Sequence, residues 1–207
     1  IRRAYDTVEF WSNELALRRL HVPEAFVQLM REFDEHATSA VITPHRITPF
    51  FPVERGVRQG DSLSPLRFVI FMDMIMTEWA NQADPYEFRG PAPAHGPAPS
   101  ARARGYVDDM LAVAPTWAVM QRRVVALADF LAAHGLALNK KKTVHIYRMP
   151  AGTPPPPALS MPVWSHEARA MSTATIPQLR PDEPWRYLGV HFTANLDFTH
   201  QVSRLTA

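Results

Sequence analysis

Two proline-rich stretches divide this chain and limit where any regular element can run. Residues 84–101 hold Pro85, Pro91, Pro93, Pro97 and Pro99 with Gly90 and Gly96, and residues 150–162 hold Pro150, Pro154 through Pro157, and Pro162. Proline fixes φ and lacks an amide donor, so neither stretch can form a helix interior or a central strand. The first reads as a loop or linker. The second reads as extended polyproline and mobile. The chain therefore partitions into residues 1–148, an insertion or linker over 149–184, and a closing segment over 185–207.

Between these breaks the patterning alternates helices with short strands. Asp6-Thr7-Val8-Glu9 reads as a helix start with Asp6 as N-cap, and Val8, Trp11 and Leu15 then share one face up to Leu20. Pro23 opens a second helix, with Phe26, Leu29, Met30 and Phe33 at helical spacing. Residues 38–43 and 46–53 read as a strand pair. Ser64-Pro65 starts a third helix, with Leu66, Val69, Ile70 and Met74 as its apolar stripe. Residues 105–113 read as a hairpin. Trp117, Met120, Val124, Leu127 and Leu131 mark an amphipathic helix that Gly135 closes. Residues 144–147 and 185–193 each read as a strand. This order predicts an α+β layer with an antiparallel sheet packed by helices.

The chain has 207 residues, enough to bury a substantial core. No run of about 18 apolar residues occurs, so no membrane span is expected. The absence of Cys excludes disulfides, zinc–thiolate sites and cysteine nucleophiles. A formal charge of +2 is a weak case for a polyanion partner. Local clusters say more: Arg2-Arg3, Arg102 and Arg104, Arg122-Arg123, and Lys140-Lys141-Lys142. The start, Ile1-Arg2-Arg3-Ala4, has neither an initiator Met nor an apolar signal core and reads as a cut through a longer sequence.

The chemistry concentrates at Tyr106-Val107-Asp108-Asp109. On a tight turn, two adjacent carboxylates at a hairpin tip can hold a hard divalent cation. A solvated polar turn would explain the pair equally well. Three further strings accompany it: Gly56-Val57-Arg58-Gln59-Gly60-Asp61-Ser62-Leu63-Ser64-Pro65, Gly135-Leu136-Ala137-Leu138-Asn139-Lys140-Lys141-Lys142-Thr143, and Arg186-Tyr187-Leu188-Gly189-Val190-His191-Phe192.

Taken in order, these strings resemble the palm of a reverse transcriptase of the non-LTR (LINE-type) retrotransposon or group II intron type. The resemblance implies a polymerase palm without the fingers and most of the thumb. It implies RNA-directed DNA polymerisation, with an RNA template, a DNA primer and dNTPs as partners and two Mg²⁺ ions as cofactors, Mn²⁺ being a possible substitute. Asp108 and Asp109 would hold metal, together with the backbone carbonyl of Ile1. Lys142 would neutralise or protonate the leaving pyrophosphate. Arg58, Gln59 and Gly60 would lie near the incoming nucleotide, Gly60 allowing close backbone approach. Tyr5 would block a ribose 2′-hydroxyl, or else be a core aromatic beside the first helix. Tyr187, Leu188 and Gly189 would form the primer grip.

In this family a metal-binding Asp stands one residue before a string like Ile1 to Val8, so the chain by itself is expected to be catalytically silent. Val107 departs from the small Ala usual in LINE-type elements. The alternatives are a group II intron-encoded enzyme, an RNA-dependent RNA polymerase, which generally has Gly before its Asp pair, and a decayed copy that only binds nucleic acid. The family implies an intracellular site, nucleus or cytoplasm.

Overall fold

A computed structural model describes residues 1, 4–57, 60–87, 100–150, 152–165, 170–195 and 197–205. The first half is helical. A short α1 (Ala4–Thr7) leads into α2 (Phe10–Arg19) and α3 (Glu24–Glu35), then a small ladder of β1 (Thr38–Ser39) with β2 (Phe51–Pro52), then the long α4 (Ser64–Asn81). A ladder of β3 (Tyr86–Glu87) with β4 (Ser100–Ala101) flanks the first proline-rich stretch, most of which lies outside the described residues. The hairpin of β5 (Ala103–Tyr106) and β6 (Asp109–Ala112) precedes α5 (Trp117–Ala133). Next come β7 (His145–Ile146), the hairpin of β8 (Ser160–Ser165) and β9 (Ala170–Thr175), and β10 (Gln178–Leu179). Another hairpin, β11 (Trp185–Tyr187) with β12 (Val190–Phe192), and then α6 (Thr199–Leu205) follow.

The α+β class holds, but the expected sheet is subdivided. Every sheet among the described residues is two-stranded, and the β7–β10 pair is parallel. Several strands have only two residues, too short to recruit a second neighbour. Residues 185–193, read from their pattern as one strand although the family resemblance implied a strand pair, fold back on themselves because Leu188 and Gly189 both take positive φ (48° and 86°). That combination makes a two-residue hairpin turn.

The helical faces also differ from the expected stripes. Asp6 lies inside α1 and is not an N-cap; α2 starts after Glu9 and has no side-chain cap. On α2 the buried side is Ser12, Asn13, Glu14, Ala16 and Leu17, while Trp11 and Leu15 are about half exposed. Polarity explains this reversal: Glu14 bonds both Arg18 and Arg31 of α3, and Ser12 meets His134 at 2.8 Å. On α3, Val27 and Met30 are buried, whereas Phe26, Leu29 and Phe33 are exposed. On α4 the core face is Phe68, Phe71, Met72, Ile75 and Trp79, with Leu66 and Val69 exposed. This helix is apolar nearly all round, so periodicity alone could not select the face. Arg67 decides it in part, through a buried bidentate pair with Asp34 at 2.9 and 2.5 Å.

The main core joins α4 to Val8, Ala103, Leu127, Leu131 and Leu136. A second cluster sets Ala128 of α5 against Leu159, Met161 and Ile176. The second proline-rich stretch is thus no free tether: it ends in a hairpin clamped on α5. The Arg122-Arg123 cluster is also reassigned in part. Arg123 is fully buried and donates to the carbonyls of Val113, Asp84 and Arg102 and to Gln82, so it braces the chain and is not offered to a polyanion. Arg2 and Arg3 lie outside the described residues.

Candidate active site

The β5–β6 register pairs Tyr106 with Asp109 and leaves Val107-Asp108 as a two-residue turn. Val107 sits at φ 55°, a left-handed conformation that crowds a β-branched side chain and costs about 1–3 kcal/mol. Packing sustains it. Val107 and Met110 lie against the main core, and Gly105 stands beside Met76 of α4. Asp108 is in the turn and Asp109 opens β6, so strand alternation does not force them to opposite sides. Both line one cavity of about 290 Å³.

The same cavity is bounded by Ile1, Asn139, Lys142 and Tyr187, which come from distant parts of the chain. The Ile1 nitrogen stands 3.5 Å from the Asp108 carbonyl. Lys142 is exposed at the cavity and rides on a compact turn built by Asn139. The Asn139 carbonyl accepts from the amides of Lys142 (3.0 Å) and Thr143 (2.9 Å), and its side-chain oxygen accepts from Lys141 (3.1 Å). Lys140 and Lys141 are exposed and do not line the cavity. On the far wall, burial and the neighbouring Asp109 charge raise the Tyr187 phenol above its ordinary pKa. Leu188 and Gly189 form the tip of the β11–β12 turn and are not cavity-lining residues.

Tyr5 packs against the main core and is not among the residues that line the cavity. Its ring stacks on Phe68 at 5.2 Å, and its hydroxyl pKa is raised by burial and then by Asp108. Its carbonyl accepts from Val57 at 2.7 Å, and Val8 accepts from Gly56 at 2.8 Å. Gly56 is required there: at φ 94°, an added Cβ would stand 2.9 Å from the Tyr5 oxygen. The start of the 56–65 string is thereby stitched to α1. Arg58 and Gln59 lie outside the described residues. Gly60 has φ 89° with open space around its Cβ position, so within the chain its backbone conformation, not crowding, calls for glycine. Asp61 accepts from the Leu63 amide at 3.1 Å and shapes the entry to α4.

Among the described residues no group of three or more His, Cys, Asp or Glu side chains could hold a metal ion. The donor set at the cavity is two carboxylates with nearby backbone carbonyls. Such a set fits Mg²⁺, which retains several waters and is usually held by one or two carboxylates plus substrate phosphates. No helix among the described residues is long and apolar enough to cross a membrane.

Sequence reasoning passed over Asn139 as a turn builder, and over His145 and Trp185, which also line the cavity. The Asn-Lys-Lys-Lys-Thr string carried a signal for the first, since Asn side chains nucleate local turns. His145 and Trp185 carried none, because their ring nitrogens are buried only by tertiary packing.

The profile of the family described as "Reverse transcriptase (RNA-dependent DNA polymerase)" matches residues 1–192. Curated relatives include the retrovirus-related Pol polyprotein from type-2 retrotransposable element R2DM of Drosophila melanogaster, 26% identical over 194 residues (94% of this chain, 17% of that protein). The corresponding Pol polyprotein from type-1 element R2 of Nasonia vitripennis is 27% identical over 195 residues (94% and 18%). One from Popillia japonica is 28% identical over 147 residues (70% and 20%). The chain thus spans about a fifth of the length of these relatives.

Proposed function

We propose that this chain, which belongs to the reverse transcriptase (RNA-dependent DNA polymerase) family, supplies the palm of an RNA-directed DNA polymerase of a non-LTR retroelement. The observation that carries this reading is the single cavity to which Ile1, Asp108, Asp109, Lys142 and Tyr187 all contribute. An RNA template and a DNA primer would lie across it, and dNTPs would be the substrates.

Asp108 and Asp109, with the Ile1 carbonyl, are the residues that would hold Mg²⁺. Bound there, the metal would lower the pKa of the primer 3′-hydroxyl and neutralise charge on the phosphates. The remaining work falls to the chain's own groups. Lys142 lines the same cavity as the two carboxylates and would neutralise or protonate departing pyrophosphate. Tyr5, its ring stacked on Phe68 and its carbonyl bonded by the Val57 amide, would be the residue that excludes a ribose 2′-hydroxyl, the Asp108 charge acting on its phenol. Arg58, Gln59 and Gly60 remain assigned to the nucleotide. Tyr187, Leu188 and Gly189 would hold the primer end, Tyr187 from the cavity wall and the other two through the turn that orients it. The similarity to R2 elements over most of the chain supports the retrotransposon source over a group II intron.

Titration with Mn²⁺ followed by electron paramagnetic resonance, in the presence of dTTP and an RNA–DNA primer–template, tests the reading without requiring turnover. Asp108→Asn is expected to weaken Mn²⁺ binding at least tenfold with the fold intact. Unchanged Mn²⁺ binding in that variant would overturn the assignment.

A further inference from the structure

The turn that carries Lys142 is firmly anchored on one side only. Upstream, Leu136 is buried in the main core. Downstream, the turn runs into the two-residue strand β7, whose strand partner among the described residues is β10 alone. The contact is specific: Gln178 and Leu179 pair with His145 and Ile146, and the His145 amide donates to the Pro177 carbonyl at 2.8 Å. The position of β10, in turn, depends on the hairpin before it.

That hairpin is fastened to α5. Gln121 makes a two-point bond to the backbone of Ser160, donating from Nε2 to the carbonyl (2.6 Å) and accepting from the amide at Oε1 (3.0 Å). A helical side chain here satisfies both backbone groups of a strand residue, as a neighbouring strand would. Leu159 and Ile176 close the hairpin base, the Ile176 amide donating to the Leu159 carbonyl at 2.8 Å, and both are buried against α5. Gln178 reaches back to the Pro156 carbonyl at 3.2 Å.

We infer that Gln121 is a positioning residue: through the β8–β9 hairpin and the β10–β7 ladder it holds the Asn139–Thr143 turn so that Lys142 lines the same cavity as Asp108 and Asp109. The inference deepens the polymerase reading and rests on it for the role of Lys142. Physically, β7 makes too few hydrogen bonds to hold its place alone, and α5 is the rigid body shared by the carboxylate core and the hairpin. The second proline-rich stretch acquires a purpose as a stiff strap between the Lys142 turn and its own anchor.

Two measurements on the unaltered chain and on Gln121→Met, which keeps the volume and removes both hydrogen bonds, test this. Hydrogen–deuterium exchange is expected to accelerate at least tenfold at residues 143–146 while residues 68–79 of α4 stay unchanged. Reductive labelling of Lys142 by pyridoxal 5′-phosphate, read by mass spectrometry, reports the amine directly. Magnesium dTTP is expected to shield Lys142 in the unaltered chain and to need at least fivefold higher concentration in Gln121→Met. Gln121→Glu, which keeps the bond from the Ser160 amide but sets a carboxylate oxygen against the Ser160 carbonyl, is expected to be at least as disruptive as Gln121→Met. Faster exchange confined to the hairpin, with residues 143–146 unmoved, would overturn the positioning role. Absence of dTTP shielding in the unaltered chain would instead overturn the nucleotide role of Lys142, and the exchange data would still decide the mechanical coupling.

Discussion

Two hairpin tips in this molecule have the same construction and opposite means of support. Tyr106-Val107-Asp108-Asp109 and Tyr187-Leu188-Gly189-Val190 each fold back through two residues, and each places a non-glycine residue at positive φ. At the second tip, Gly189 provides half of the turn by local chemistry, and Leu188 is about half exposed. At the first tip neither turn residue is glycine, and Val107 is held in place by packing against the core beneath it. Local chemistry suffices where a turn only has to reverse the chain. Tertiary packing takes over where the turn must also present carboxylates at a fixed place.

The sharpest way to break that contrast is to remove the support beneath each tip. Phe71 is fully buried in the main core, its ring tilted against Phe68 and Phe130 and edge-on to His134. Phe71→Ala should cost about 3–5 kcal/mol in urea unfolding. Phe192→Ala, at a half-buried residue packed on Trp185, should cost about 1–2 kcal/mol. Comparable losses at both sites would erase the distinction.

Exchanging the turn chemistry comes next. Gly189 at φ 86° has open space where a Cβ would go, so Gly189→Ala carries a purely conformational penalty of about 1–2 kcal/mol. Val107→Gly relieves backbone strain but loses packing and gains unfolded-state entropy, so a net change within about 1 kcal/mol is expected. A loss above 3 kcal/mol at Val107 would show that the left-handed turn is not strained.

The smallest effect is a pH dependence. His134, packed on Phe71 and Phe130 of the main-core region, and His145, at the cavity wall, are both pushed below the ordinary imidazole pKa by burial. The folded chain keeps them neutral, whereas the unfolded chain takes up protons near pH 6.5. Stability should therefore be fully present above that value and decline as pH falls below it. His134→Gln should flatten the slope more than a surface His36→Gln, as read by thermal unfolding between pH 7.5 and 5.

What was legible in the sequence depended on local signals. Pro23 and Ser64-Pro65 marked helix starts correctly. Residues of three of the four motif strings line one cavity, whereas none of the described residues of the 56–65 string does. The buried faces of α2 and α4 were not legible. On α2, burial follows ion pairs with α3 and a Ser12–His134 bond that are remote in the chain, while α4 is apolar on nearly every side. The Asp6 cap failed because Asp6 lies inside α1 and the next helix starts four residues beyond it, at Phe10.

By itself, the sequence determined that this chain is an α+β protein with a hairpin carrying two adjacent carboxylates, because these are written in consecutive residues with their own backbone preferences. Only the tertiary structure decided that Asp108, Lys142 and Tyr187 share one cavity, that Arg123 is a buried brace, and that Gln121 ties a proline-rich strap to α5. Those outcomes depend on contacts between residues far apart in the chain, and no local pattern encodes which distant partner will satisfy a given buried group.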